Sequence, residues 1–111
     1  MLRSEIRTPA LLLDMRAMES NLKKMAAFLW GGRLRPHYKN HKCVALAKRQ
    51  MDLGAIGMSC ATLGEAEALV RSGIQSIFLV NEIAGTAKIE RFAELSREAD
   101  LMVAVVEPVK F

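Results

Sequence analysis

One rhythm runs through most of this chain and narrows what it can fold into. "VALAKRQMDLG" carries helical spacing and stops at Gly54, "AIGMSCA" is a short apolar run, and "LGEAEALVRSG" is helical again up to Gly73. "SIFLV", "GTAKIERFAELSREA" and "DLMVAVV" continue as strand, helix and strand. Strands that are apolar at nearly every position are buried on both faces. Alternating with amphipathic helices, they indicate a parallel sheet covered by helices, with the short connections that βα units favour. Upstream, "RLRPHYK" reads as extended, because the residue before Pro36 is held out of the helical region. "ALLLD" reads as a short buried strand with Pro9 at its entrance. Asp14 is placed to cap a helix whose apolar stripe, Met15, Met18, Leu22, Met25, Ala26 and Leu29, runs from Met15 to Trp30. Gly31 and Gly32 suit its C-terminal end.

The pattern supplies about four βα-type strands after the first helix, whereas a closed (β/α)8 barrel needs about eight and typically ~250 residues. A chain of 111 residues is therefore either a small open parallel sheet or the first half of a barrel. The final strand is followed only by "EPVKF", with no covering helix, so the expectation is a single partial barrel domain over 1–111, truncated after about four strands. Its open strand edge invites self-association into a homodimer. Composition is about half apolar and a quarter charged, enough for a core and inconsistent with disorder. The longest apolar runs are too short to cross a bilayer, and "MLRSEIRTP" has no signal-type apolar region. Cys43 and Cys60, 17 positions apart without a CxxC pairing, fit a reduced, cytoplasmic protein.

Charge is concentrated. Between Ser20 and Met51 there is no acid, while eight Lys and Arg residues fall there; from Asp52 onward the chain is net acidic. An anionic partner is expected, either a polyanion or a small phosphorylated ligand, against a plain solvated face. The densest part is "RPHYKNHKC", residues 35–43, which admits three readings. A metal site could use His37 and His41, but Pro36 opposes a helix, and in an extended chain the two would lie ~13 Å apart. A nucleic-acid patch could use the basic residues around Tyr38, but aromatics are scarce and no binding module matches the βα alternation. The third reading is a reactive amine. Lys39 falls at the C-terminal end of the first barrel strand, where α/β folds carry their chemistry. Its cationic neighbours Arg35 and Lys42 disfavour the ammonium form, so the free amine is available to an aldehyde such as pyridoxal phosphate.

"TPALLLDMRAMESNL", "LRPHYKNHK", "GMSCATLGEAEALVRSGI" and "FLVNEIAGTAKIERFAEL" together resemble the start of the D-threonine aldolase and D-serine dehydratase group, pyridoxal-phosphate enzymes with an alanine-racemase-like barrel. The resemblance covers about Thr8 to Val106, and its most specific part is the pattern Pro36, His37, Lys39, His41, Lys42. Asn40 stands where that family often has threonine. The resemblance implies that Lys39 holds pyridoxal 5'-phosphate as an internal aldimine, with His37 and His41 positioning it and the cofactor; Thr62, at the end of the second barrel strand, is the further cofactor-binding candidate. It also implies a small D-amino-acid substrate and no nucleic-acid or membrane partner. The implied reaction is retro-aldol cleavage of a β-hydroxy-D-amino acid to glycine and an aldehyde. Dehydration, racemisation and a non-catalytic pyridoxal-phosphate-binding role are the alternatives. The family's divalent-metal ligands lie near the end of a much longer chain, so no metal ligand is assigned here, and the fragment alone is expected to lack competence.

Other positions are open to two readings. Ser59, Cys60 and Thr62 end the second barrel strand and could face a cofactor; equally, Thr62 could cap the helix starting at Leu63, with Glu65 completing a capping box. Asn81 and Glu82 mark either the catalytic face or a turn. Met102, Val103 and Val105 are expected in the core, and Arg71 complements its helix's C-terminal dipole.

Overall fold

Apolar strands that stop directly at helix-capping residues leave little room for long connections, and the fold is correspondingly tight. The computed structural model describes residues 2–106. In chain order it forms α1 (Met15–Phe28), α2 (Val44–Asp52), β1 (Met58–Cys60), α3 (Leu63–Arg71), β2 (Ser76–Leu79), α4 (Thr86–Leu95) and β3 (Asp100–Val103). The strands are parallel in the order β1-β2-β3. Ile77 sits at the middle, paired with Met58 on one side and Leu101 on the other. A fourth parallel segment flanks β1: Ile56 N–H donates to the Leu34 carbonyl at 2.9 Å, and Ser59 N–H to the Pro36 carbonyl at 2.7 Å. His37 and Ser59 form a bridge there. Pro36 has no N–H to give, so this segment remains a single bridge rather than a full strand. The four expected strands are thus three strands and one bridged segment, laid side by side in sequence order with a helix between each pair, as in a (β/α) barrel.

The core is where α3 lies on β1 and β2. Met58, Cys60, Leu69, Ile77 and Leu79 are fully buried, joined by Leu63, Ala66 and Val70 of α3 and by Ala47 of α2. Helix α1 is held differently. Asp14 caps it, its carboxylate accepting from the N–H groups of Arg16 and Ala17 at 3.0 Å each. None of its residues is fully buried, and its stripe is only half-covered, at Met18, Leu22 and Ala26. An ion pair ties it to α2: Arg49 Nε donates to Glu19 Oε2 at 3.0 Å, with a second guanidinium contact to the same carboxylate and Lys23 at 3.4 Å. The hydrogen bond from Arg49 holds the Glu19 carboxyl down to about 2.

At the N-terminal edge of the sheet, Arg35 crosses β1's approach to reach β2. Its Nη1 donates to the Ser76 carbonyl at 3.2 Å and its Nη2 to Ser76 Oγ at 3.1 Å. Gly57 lies beneath that crossing, and a Cβ there would collide with both Arg35 Nη1 and the Ser76 carbonyl. The residue is glycine because a side chain has no room, with no unusual dihedral involved.

Several expectations are corrected. "ALLLD" is not a strand: Ala10–Asp14 is exposed, Leu11 almost completely. An apolar run becomes a buried strand only with a neighbour to pair with, and among the described residues none lies beside it. Met102 (39% exposed) and Val105 (84%) are not core, because β3 is the edge of the described sheet. Helix α4 ends at Leu95, and a turn carries the chain to Asp100. The "EPVKF" end lies outside the described residues.

Candidate active site

Beyond the bridge to Ser59, the chain leaves the sheet through a tight 3-10 turn over Tyr38–Asn40. Lys39 is therefore in the turn just past the first parallel segment, not in the strand itself as the extended reading of "RLRPHYK" had it. His37 starts the turn: its Nδ1 accepts the Lys39 N–H at 3.2 Å. The Tyr38 carbonyl closes it, accepting from His41 N–H at 3.3 Å and Lys42 N–H at 2.8 Å. Lys42 then adopts φ 45°, the left-handed region that costs a side-chain-bearing residue roughly 1–2 kcal/mol. Tyr38 anchors the turn from below, only 5% exposed and edge-on to the His41 ring at 5.5 Å.

The two histidines have different tasks. His41 Nδ1 accepts the Cys43 N–H at 3.0 Å, so its proton is on Nε2, which donates to Gln50 Oε1 at 3.1 Å. Both ring nitrogens are used, and the ring pins the turn to α2. His37 likewise accepts through Nδ1, which leaves the proton on Nε2, and among the described residues that N–H has no partner. Lys39 is exposed, and its ammonium makes no ion pair among the described residues. A free amine and a free imidazole N–H thus stand two residues apart at the C-terminal mouth of the sheet.

The expected cationic neighbours are otherwise occupied. Arg35 lies at the opposite edge, bound to Ser76, and Lys42 pairs with Glu65 at 3.8 Å. Thr62 is the N-cap of α3: its Oγ1 accepts the Glu65 N–H at 3.2 Å, and Glu65 reaches back to the Ala61 N–H at 2.8 Å. Thr62 therefore caps the helix as the capping reading had it, but Glu65 takes the N–H one residue before the N-cap and does not close the reciprocal box. Thr62 also lines an outward cleft of about 300 Å³ between α3 and α4 with Asn81, Lys88 and Arg91. Asn81 is a loop tie, donating to the Ala61 carbonyl at 2.8 Å. Cys60 is sealed in the core, where burial, with a smaller push from Glu65, raises its thiol to about 12; it is not a nucleophile. Cys43 is partly exposed and free. Among the described residues no three His, Cys, Asp or Glu converge on one point, and His41 could ligate a metal only by abandoning Cys43 or Gln50. The residues of this turn do not fit a metal.

Sequence reasoning passed over Gln50 altogether and took Glu65 only as a cap. For Gln50 the available signal is weak, a polar side chain on the α2 face nearest His41. For Glu65 it is the rule that a helix-capping carboxylate, once buried, has a second oxygen left to satisfy.

A profile of the family described as "Alanine racemase, N-terminal domain" matches residues 13–110. The chain belongs to that family. Among its relatives, the D-threonine aldolase of Arthrobacter sp is 42% identical over 106 residues, 92% of this chain and 27% of that protein. The 3-hydroxy-D-aspartate aldolase of Paracoccus denitrificans is 40% identical over 110 residues, 96% of this chain and 28% of that protein. The crystal structure of D-threonine aldolase from Filomicrobium marinum superposes with a TM-score of 0.89 at 45% identity, covering 92% of this chain and 28% of that one. The alanine racemase N-terminal domain described here thus spans a little over a quarter of the length of these relatives.

Proposed function

We propose that this chain carries the cofactor-attachment part of a pyridoxal-phosphate enzyme acting on small β-hydroxy-D-amino acids, an aldolase of the D-threonine type. The observation that carries the reading is the unpaired Lys39 amine, held at the C-terminal mouth of a parallel sheet by a turn in which His41 and Lys42 are engaged and His37 keeps one ring N–H free. Relatives whose names are aldolases of D-threonine and 3-hydroxy-D-aspartate support the reaction class.

The residues fit the cofactor. Lys39 Nζ is the attachment point for its aldehyde, and His37 Nε2–H, two residues away, is a donor free for an oxygen of the cofactor or substrate. His41 keeps the turn rigid, so the amine is presented at a fixed place rather than searching for it. Thr62 holds the first turn of α3 and keeps its hydroxyl proton to donate, into the cleft it lines with Asn81, Lys88 and Arg91. When bound, pyridoxal phosphate supplies an electron sink for breaking a bond at Cα. In the proposed cleavage the β-hydroxyl gives up its proton, the Cα–Cβ bond breaks so that Cβ and its oxygen leave as an aldehyde, and Cα takes a proton to become glycine. A divalent metal, were one to take part, would have to be held by residues other than those of this turn.

No helix of the described residues is long and apolar enough to cross a membrane. Both thiols are free, which supports a reducing compartment, and we place the protein in the cytoplasm. The exposed β3 edge, with Met102 and Val105 uncovered, supports self-association, checked by sedimentation velocity.

The decisive test is addition of pyridoxal phosphate to wild type and Lys39→Ala, with the near-visible absorbance of lysine-bound cofactor as the readout. Wild type should develop the band and the variant should not; a band that survives the substitution sinks the assignment. Glycine plus aldehyde from D-threonine identifies the aldolase, whereas a 2-oxo acid plus ammonia identifies a dehydratase.

A further inference from the structure

Two amines share the turn that carries the proposed attachment point. Lys39 and Lys42 are three residues apart, both exposed, and either could in principle react with an aldehyde. What separates them is Glu65. Its side chain is 11% exposed, and Oε2 is fixed by the Ala61 N–H at 2.8 Å. That hydrogen bond leaves Oε1 facing Lys42 Nζ at 3.8 Å. The left-handed backbone at Lys42, φ 45°, turns the chain so that this side chain runs toward α3. Accepting the Ala61 N–H needs only one oxygen and no charge, so the second oxygen of this nearly buried carboxylate is left for another partner.

We infer that Glu65 selects the reactive amine: it engages Lys42 as an ion pair and so leaves Lys39 as the lysine that takes the cofactor. Glu65 is a positioning residue, and the inference rests on the reading of Lys39 as the attachment point. The chemistry is a condensation. The amine nitrogen's lone pair forms a bond to the aldehyde carbon, the carbonyl oxygen departs as water with both amine protons, and no oxidant or reductant is consumed. Either lysine must give up an ammonium proton before it can attack; for Lys42 that step also forfeits the contact with Glu65 at 3.8 Å, whereas Lys39 has no such contact to lose among the described residues.

The test is regioselectivity, which a merely structural role for Glu65 would not move. The protein is incubated with pyridoxal phosphate, the adduct is fixed with borohydride, and labelling at Lys39 and Lys42 is quantified by peptide mass spectrometry, with exposed Lys48 as the internal reference. Wild type should label Lys39 well above Lys42. Glu65→Gln keeps an amide oxygen for the Ala61 N–H and removes the charge, so the Lys42-to-Lys39 ratio should rise by about two- to fivefold, the size expected for an exposed ion pair. Wild type in about 1 M salt, where screening acts over ~3 Å, should shift the ratio the same way without any substitution. An unchanged ratio in both arms overturns the inference and leaves the Lys39 assignment standing. If wild-type Lys39 is labelled no more than Lys48, the attachment reading falls and this inference falls with it.

Discussion

Where the parallel segments begin, Arg35 spans Gly57 to hold both the carbonyl and the hydroxyl of Ser76. Where they end, a few residues along the same strands, Lys39 Nζ and His37 Nε2 have no protein partner among the described residues. One end of the sheet spends its charged group on closing the packing; the other withholds two polar groups from it. Lys39 is exposed, so water serves its amine and the fold gives up little by leaving it unpaired. This is the division expected of a βα sheet, with stability at the N-terminal edge and chemistry at the C-terminal mouth.

The sharpest way to break that comparison is to exchange the roles by mutation. Lys39→Ala should abolish the near-visible band of bound cofactor while leaving the unfolding free energy within about 0.5 kcal/mol of wild type, as for other surface truncations. Gly57→Ala should do the reverse. Overpacking at this crossing should cost about 1–3 kcal/mol, seen as a thermal midpoint lower by on the order of 5 °C or more, with the cofactor band retained in the protein that remains folded. Combining it with Arg35→Ala should recover part of the loss, since one of the two collisions is removed; strict additivity would show that Arg35 and Gly57 are not coupled. His41→Ala joins the two ends in a single variant. Losing its acceptor for Cys43 and its bond to Gln50 should cost about 1–2 kcal/mol, and the loosened turn should also slow cofactor attachment at Lys39. A loss of stability with unchanged attachment kinetics would mean that the turn's rigidity is irrelevant to the amine.

The smallest effect is expected from acid. Glu19 is held down to about 2 by Arg49, from an ordinary value of 4.5. A lowered carboxylate contributes its stabilisation fully above the ordinary value and loses it as pH falls toward about 2. The attachment of α1 to α2 should therefore weaken between pH 4.5 and 2, detectable as earlier exchange of α1 amides, while the core strands keep their protection. Because this pair is on the surface, uniform loss across the whole sheet in that window would point to another group.

Much of the architecture could be read from sequence because it depends on neighbours in the chain. Asp14, Thr62 and the glycines after α2 and α3 act within a turn of where they stand, and the βα rhythm follows from local spacing. The misreadings share a cause. "ALLLD" has the composition of a buried strand, but burial is decided by what lies opposite it. Arg35 looked like part of the cluster around Lys39, yet its partner is 41 residues away and at the other edge. The need for glycine at 57 arises from that same distant contact. Within the candidate site, the motif singles out Lys39, whereas the differing hydrogen bonds of His37 and His41 depend on which ring nitrogen meets which backbone N–H.

The chain has one tyrosine, and Tyr38 is buried inside the very turn that presents Lys39, its ring edge-on to His41. The near-ultraviolet circular dichroism of a lone immobilised phenol is therefore a built-in optical gauge of that turn. With Trp30 lying 71% exposed and so contributing a weak, averaged signal, changes in the tyrosine band can be followed during cofactor titration without adding a label.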